Sequence, residues 1–398
     1  MKNKSCVIVG VSGGIAAYKA AQLVSNLKKK EMNVHVVMTH NATEFVSALT
    51  FETLSGNRVS VDTFDRNFEY NVEHVSLAKQ ADCFVIVPAT ANVIAKIVHG
   101  LADDMLTTTF LACRCPKILC PAMNTAMLEN EVTQENFKKA TQLGYKIINS
   151  EEGYLACGDT GKGRLTDLFV IEEAIEIALQ TEKFLAGKKV LITAGGTQEA
   201  IDPVRYITNH SSGKMGYALA HQAVQLGAEV TLISANSMLT IPSQVHYIST
   251  VSAQAMFEAV KVCSKDQDII IKAAAVADYT PQKIADHKIK KSGDDLVLEL
   301  KRTEDILAWL GKNKQPNQFL CGFAMETENV IENAEKKRSR KQVDMIVANC
   351  LTEPGAGFQK DTNRVTLITK DQIRELPLLS KDEVALWILK VIAGKEEV

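Results

Sequence analysis

The sequence predicts an α/β protein of two domains, each built on a doubly wound parallel sheet. Short unbroken apolar runs alternate with helical patterns along the whole chain, as strands buried on both faces do. The opening pattern of strand, glycine turn, helix and strand occurs near the start and again from Lys188. A length of 398 residues also suits two domains, at roughly 100–200 residues each.

In the first half, residues 5–10 (SCVIVG) read as a strand, followed by Gly10, Gly13 and Gly14 and an Ala-rich helix from Ile15 to Lys28. A second strand covers Val34–Thr39. Further strands are Cys83–Val87, Lys117–Leu119 and Lys146–Ile148, with helices over 43–55, 92–99, 125–142 and 168–183. The second half opens with Lys188–Thr193, Gly195–Gly196, a helix from Met215 to Leu226 and the strand Glu229–Ser234. Strands at Asp268–Lys272, Gln318–Gly322, Asp344–Ala348 and Arg364–Thr369 follow, and a helix from Asp382 to Ile392 ends the chain. The boundary is expected near Thr181–Gly187, giving domains 1–184 and 185–398. No Pro- or Ser-rich linker marks it.

The 45 basic and 47 acidic residues nearly cancel to a net charge of -2, which argues against broad binding of nucleic acid or an anionic membrane. The 46% hydrophobic content excludes disorder over most of the chain. The 9 cysteines are an odd, scattered set without a C-x-x-C pair, so reduced thiols in a cytoplasmic protein are the simplest reading. The N-terminal apolar run breaks at glycines and does not read as a signal peptide. No apolar stretch approaches the ~20 residues that span a bilayer. A soluble protein is expected.

Gly10-Val-Ser12-Gly13-Gly14 lies between a strand and a helix start, where unpaired N–H groups and the positive helix end favour phosphate. A purely structural turn would look the same. The G-x-G-x-x-G spacing is absent, and Thr39-His40-Asn41 rather than an acidic residue ends the second strand. Ordinary dinucleotide binding is therefore disfavoured, and a mononucleotide such as flavin mononucleotide (FMN) fits better. Its candidate contacts are Ser12, Gly13, Gly14 and Thr39, with Ala89 and Thr90 at the carboxyl end of the next strand. His74 precedes that strand; a lone histidine is more often packed or solvated than catalytic. Asn124, in Pro121-Ala-Met-Asn124, can cap a helix or hold a carboxylate through its NH₂ group. Residues 153–164 hold four glycines, which suit a mobile flap better than a helix or strand interior. Such a flap would carry Cys157 to the site as a proton donor, because an unperturbed thiol is mostly protonated at neutral pH.

In the second half, Gly195–Gly196 and Gly213–Gly216 bracket an irregular segment containing Asn209, a second candidate phosphate cradle. Lys272-Ala-Ala-Ala-Val-Ala-Asp278 carries small residues that allow close backbone approach to a ligand. Lys288 and Lys290 would share a face if extended, and Lys337 and Lys341 share a helical face. Each basic pair alone reads as solvated surface. Two pairs beside two glycine turns suggest a nucleoside triphosphate.

Taken in order, Gly10-x-x-Gly13-Gly14-Ile-Ala-x-Tyr-Lys19, Glu73-His74-x-Ser-Leu-Ala, Pro121-Ala-Met-Asn124 and Leu-Ala-Cys157-Gly-x-x-Gly-x-Gly-Arg164 resemble the flavin-dependent phosphopantothenoylcysteine decarboxylases. The Asn209 segment, Ala-Ala-Ala-Val-Ala-Asp278, Lys288-Ile-Lys-Lys291, Gly322-Phe323 and Ala334-x-x-Lys337-x-x-x-Lys341 resemble phosphopantothenate–cysteine ligases. The whole chain is similar to the bacterial bifunctional enzymes of coenzyme A biosynthesis that combine the two.

That resemblance implies a flavodoxin-like/Rossmann-like decarboxylase domain, then a Rossmann-like ligase domain. In the ligase, CTP would activate 4′-phosphopantothenate as an acyl-cytidylate, which the cysteine amine then attacks. Ala273, Ala274, Ala275, Asp278, Lys288, Glu304, Asp305, Ile306, Leu307, Phe323, Lys337 and Lys341 would bind CTP, and Asn209 would hold the activated acyl group. Mg²⁺ would shield the triphosphate, through ligands the sequence does not name. In the decarboxylase, FMN would oxidise the substrate's thiol to a thioaldehyde, which loses CO₂ as a β-keto acid does. His74 would be the base, Asn124 would orient the carboxylate and Cys157 would protonate the ene-thiolate. The family pattern has an aromatic residue where Leu128 stands, which leaves local packing there open. A homo-oligomer is implied, trimeric through the flavin domain and dimeric through the ligase domain. An NAD(P)-dependent oxidoreductase and a flavin-binding regulator without activity are the alternatives; the first lacks its glycine motif, and the second would be expected to lack Cys157 or Asn124.

Overall fold

Cys6 to Val11 contains no charged residue, and all six positions are buried in the strand β1 (Cys6–Val11), an inner strand of the first sheet. The computed structural model describes residues 4–64, 72–156, 158–235, 237–291, 296–326, 330–350 and 360–396. It separates into two units, Met1–Thr181 and Glu182–Val398.

The first unit runs through α1 (Ala17–Lys29), β2 (Asn33–Met38), α2 (His40–Thr43), α3 (Ala48–Ser55), α4 (Glu73–Gln80), β3 (Cys83–Ala89), α5 (Ala91–Val98) and α6 (Met105–Ala112). It continues with β4 (Lys117–Pro121), α7 (Thr125–Glu129), α8 (Glu131–Gln142), β5 (Lys146–Ile147), β6 (Glu151–Tyr154), β7 (Thr160–Arg164) and α9 (Leu168–Leu179). Five strands pair in parallel in the order β2-β1-β3-β4-β5. The order reverses between β1 and β3, and such a switch point opens a crevice at the strands' carboxyl ends. Alternate residues of β1 serve opposite faces. Val7, Val9 and Val11 pack with Leu23 and Leu27 of α1 and Ile171 of α9; Ile8 packs with Phe84, Ile94 and Phe110.

The helix expected over 43–55 is two, because the Ser47 side chain caps a fresh start by accepting from Thr50 N–H. The helix over 125–142 restarts at Asn130 in the same way. The helices α4 and α6 were not expected; α6 (MLTTTFLA) has no polar stripe to reveal a helical period. The glycine-rich segment was expected to exclude strand, yet β6 and β7 form an antiparallel hairpin with Gly153, Gly161 and Gly163 inside the strands.

The second unit comprises β8 (Lys189–Gly195), β9 (Gln198–Ala200), β10 (Tyr206–Thr208), α10 (Lys214–Gln225), β11 (Glu229–Ala235), β12 (Val245–Thr250) and α11 (Ala253–Cys263). Then come β13 (Ile269–Lys272), β14 (Tyr279–Pro281), β15 (Leu300–Arg302), α12 (Ile306–Asn313), β16 (Phe319–Glu326), α13 (Val330–Lys341) and β17 (Met345–Cys350). The last elements are β18 (Thr362–Asn363), β19 (Val365–Ile368), β20 (Ile373–Glu375), β21 (Leu379–Ser380) and α14 (Lys381–Ile392). Its main sheet has the order β12-β11-β8-β13-β16-β17-β19-β20. The first six strands are parallel, while β19 and β20 pair antiparallel at one edge, so this sheet is mixed.

The segment expected to be irregular between the two glycine turns contains the β9–β10 hairpin. Lys288 and Lys290 do not lie on a strand. Instead Ile289 N–H donates to Asp202 Oδ2 at 3.1 Å, and Ile289 O accepts from Arg205 Nη2 at 2.8 Å. That buried carboxylate also accepts from the backbone of Val204 and Arg205. Hydrogen bonds from Arg205 and these amides hold the Asp202 carboxyl well below the usual range. Among the described residues no helix is long and apolar enough to cross a membrane.

Candidate active sites

In the first unit, the crevice at the switch point opens into a cavity of about 1050 Å³. That is at the upper end of the ~300–1,000 Å³ range of small-molecule sites. Gly13 and Gly14 line it. A Cβ on Gly13 would lie 2.5 Å from Cβ of Asn41, so only glycine lets this turn pass so close to α2. The helix α1 starts without a side-chain cap, which leaves its first N–H groups turned toward a ligand.

Ser12 and Ala89 stand behind this wall, fully buried. Ser12 Oγ donates to Pro88 O at 2.7 Å and accepts from Thr90 N–H at 3.1 Å, tying the turns after β1 and β3 together. Thr90 lines the cavity. Thr39, just after β2, also lines it, and its buried Oγ1 has no partner among the described residues. An unmade buried hydrogen bond costs ~1–3 kcal/mol. A hydroxyl left so on a cavity wall fits a ligand that completes it.

Asn124 follows β4 and faces the same cavity; its Oδ1 accepts from Ala126 N–H at 2.9 Å, so it caps α7 as well. The hairpin clamps this segment. Met123 N–H donates to Gly163 O at 3.1 Å, and Thr125 Oγ1 donates to Lys162 O at 2.8 Å. Gly163 has φ 123°, and a Cβ there would sit 2.1 Å from Met123 O, so this approach requires glycine. Leu155, Ala156, Gly163 and Arg164 of the hairpin line the cavity. Cys157 lies outside the described residues. Leu128 is buried, which answers the packing question its aliphatic side chain raised. His74, half-buried in the first turn of α4, is not among the cavity-lining residues.

The second unit has a cavity of about 510 Å³ where β13, β16 and β17 end. The helix α10 starts at Gly213 with no side-chain cap, and Ser211, Ser212 and Lys214 line the cavity beside it. Asn209 lines it too and donates through Nδ2 to Ala275 O at 3.1 Å. Ala273, Ala274, Ala275, Asp278, Phe323 and Lys337 complete the expected part of the wall. Lys337 Nζ donates to Phe323 O at 3.3 Å.

Other expected contacts fall outside this lining. Lys288 is exposed on the segment pinned by Asp202, and Glu304 is exposed beside α12. Ile306 and Leu307 are core residues. Asp305 caps α12 and forms an ion pair with Lys341. Against the cost of burial, Lys341 and the Ala308 N–H hold the Asp305 carboxyl below its usual range.

Sequence reasoning passed over Lys272, Asn349, Asn363 and Lys381, which all line this cavity. Lys272 and Asn349 end apolar strands, and a polar residue in that position is the available signal. The buried Asn349 Oδ1 has no protein partner among the described residues.

Two families match the chain end to end. Residues 1–179 match the family described as Flavoprotein, and residues 185–395 match the DNA/pantothenate metabolism flavoprotein C-terminal domain. The chain is 49% identical over 398 residues to the coenzyme A biosynthesis bifunctional protein CoaBC of Bacillus subtilis (strain 168), covering 99% of this chain and 98% of that one. Against the Escherichia coli (strain K12) protein of that name, identity is 39% over 392 residues, covering 98% and 97%. A crystal structure of the C-terminal domain of such a protein matches at 48% identity with a TM-score of 0.47, covering 54% of this chain and 97% of that chain.

Proposed function

The chain belongs to the family of bifunctional coenzyme A biosynthesis proteins, and we propose how its two units divide that work. It is a bifunctional enzyme, with a flavoprotein decarboxylase unit followed by a ligase unit. In this proposal residues 1–184 decarboxylate and residues 185–398 ligate.

The ligase unit would bind CTP in the cavity beneath Ala273–Ala275. Phosphates would lie toward the uncapped start of α10 and Lys337, where N–H groups and a cation converge. Asp278 and Phe323 stand on the same wall, with Asn209 anchored to Ala275 beside them. Asn209 is then placed to hold the acyl-cytidylate while the cysteine amine attacks and CMP leaves. Lys288, from its exposed segment, and Lys341, from the α13 flank, would approach from outside the cavity. Among the described residues no cluster of three or more His, Cys, Asp or Glu could hold a metal ion. Mg²⁺ would therefore arrive on the triphosphate, with Asp278 as the nearest lining carboxylate, and no step depends on it here.

FMN suits the larger cavity: its volume, the glycine turn at the α1 start and the orphan Thr39 hydroxyl all fit a flavin with one phosphate. When bound, it would supply the two-electron chemistry of taking hydride from the substrate and returning it. The protein's own part is placement and proton traffic. Asn124, clamped between β4 and the hairpin, would orient the substrate carboxylate for its loss as CO₂. Cys157 would give a proton to the ene-thiolate carbon chain as the product forms, and His74 would take the thiol proton at the start. The product is 4′-phosphopantetheine.

The single observation that carries the proposal is the presence of two separate cavities, each at strand carboxyl ends and each beside an uncapped helix start. The test is pyrophosphate release with 4′-phosphopantothenate and one nucleotide at a time, without cysteine. CTP is expected to support release and ATP to fail. Equal turnover with both would overturn the nucleotide assignment.

A further inference from the structure

Lys272 ends β13, a strand in the middle of the second sheet, and its side chain joins the cavity wall beside Ala273 and Lys337. Its Nζ donates to Ala274 O at 2.7 Å. The ammonium is thus tied to the backbone segment expected to meet the nucleotide. The charged groups acting on it are Lys337 and Lys341 of α13, Asp305 at the start of α12, and Asp278 beyond β13. Burial first, and Lys337 next, push the Lys272 ammonium down to about 8.

Structure alone gives little reason for a cation there. An apolar side chain of similar length would fill the space without desolvating a charge. An anionic ligand in the cavity changes that balance, because opposite charge favours the ammonium. We propose that Lys272 is a further phosphate-recognising residue of the nucleotide site, acting with Lys337, and that its protonation and occupancy by a triphosphate are coupled. The inference rests on the reading of this cavity as a nucleoside triphosphate site.

The sign follows from linkage. Below about pH 7 Lys272 is charged with or without ligand, and binding leaves its proton unchanged. Above pH 8 the empty site has lost the proton while the occupied site keeps it, so binding takes one up and affinity falls as pH rises. A terminal phosphate with its last ionisation near ~6 is already fully charged in that window. Lys381, also on the cavity wall, is likewise pushed down to about 8 by burial and by Lys214. The wild-type signal therefore contains both lysines, and substitutions at Lys272 separate them.

The experiment is calorimetric titration of the full chain with CTP, at pH 7, 8 and 9, in two buffers of different ionisation enthalpy. Wild type is expected to take up protons at pH 8 and 9 and to lose about fivefold or more in affinity between them. Lys272→Met should take up about half a proton fewer at pH 8 and close to one fewer at pH 9, and show a shallower fall. Lys272→Arg, charged throughout, should bind more tightly than wild type at pH 9. Binding by wild type without proton uptake overturns this inference alone. So does an unchanged uptake in Lys272→Met, or no gain at pH 9 in Lys272→Arg. Absence of any CTP binding at pH 7 overturns the nucleotide reading and this inference together.

Discussion

At the scale of single residues, Thr39 gives the sharpest consequence. Its hydroxyl is buried on the larger cavity wall with no partner among the described residues, so in the ligand-free protein it contributes cost and no bond. Thr39→Val keeps the shape and removes the oxygen. Thermal unfolding without flavin is expected to stay the same or rise slightly, while FMN affinity falls about five- to tenfold, the equivalent of ~1 kcal/mol. Unchanged affinity in a fluorescence titration would show that this hydroxyl does not meet the cofactor. Thr39 was legible as a candidate because it replaces the acidic residue that would end a dinucleotide-binding strand. Its missing partner was not, since hydrogen bonding depends on chain segments far apart in sequence. The same holds for Lys272 and Asn349, which were visible as polar ends of apolar strands but met their cavity only through the sheet's order.

Among the elements, the β6–β7 hairpin connects local sequence to the larger cavity. Its glycines were read as the mark of a loop, yet they are there because two backbones come into contact. Gly163, with φ 123°, passes against Met123 O, and no side chain fits between. Gly163→Ala should push the hairpin off the Asn124 segment, with ~1–3 kcal/mol of strain, and weaken FMN binding by about tenfold. Hydrogen exchange at Met123 N–H, which donates to Gly163 O, should speed up in the same variant. Wild-type protection together with wild-type affinity would contradict the clamp. Strands with buried faces were the most legible elements: β1 and β13 carry apolar runs with nothing polar inside, and β8 interrupts its run only with the buried Thr193. The helices α6 and α12 were harder to see, because the threonines of α6 sit among its buried residues and leave no polar stripe, and α12 is one short apolar stretch after a cap.

Across the whole molecule, each unit holds its own sheet, core and cavity, and the chain divides at Thr181 by its internal packing. The repeated strand–turn–helix opening made two α/β units legible from the sequence. The antiparallel edge formed by β19 and β20 was not, because strand direction leaves little trace in residues this short of pattern. In the proposed division of work, one chain carries two consecutive activities at two sites. The measurement that tests it most directly is stoichiometry: the full chain with bound FMN is given 4′-phosphopantothenate, cysteine and CTP, and pyrophosphate, CO₂ and 4′-phosphopantetheine are counted together. One pyrophosphate and one CO₂ are expected for each 4′-phosphopantetheine, with neither CO₂ nor product when CTP is withheld. Full CO₂ release without CTP, or pyrophosphate release that never leads to CO₂, would contradict it.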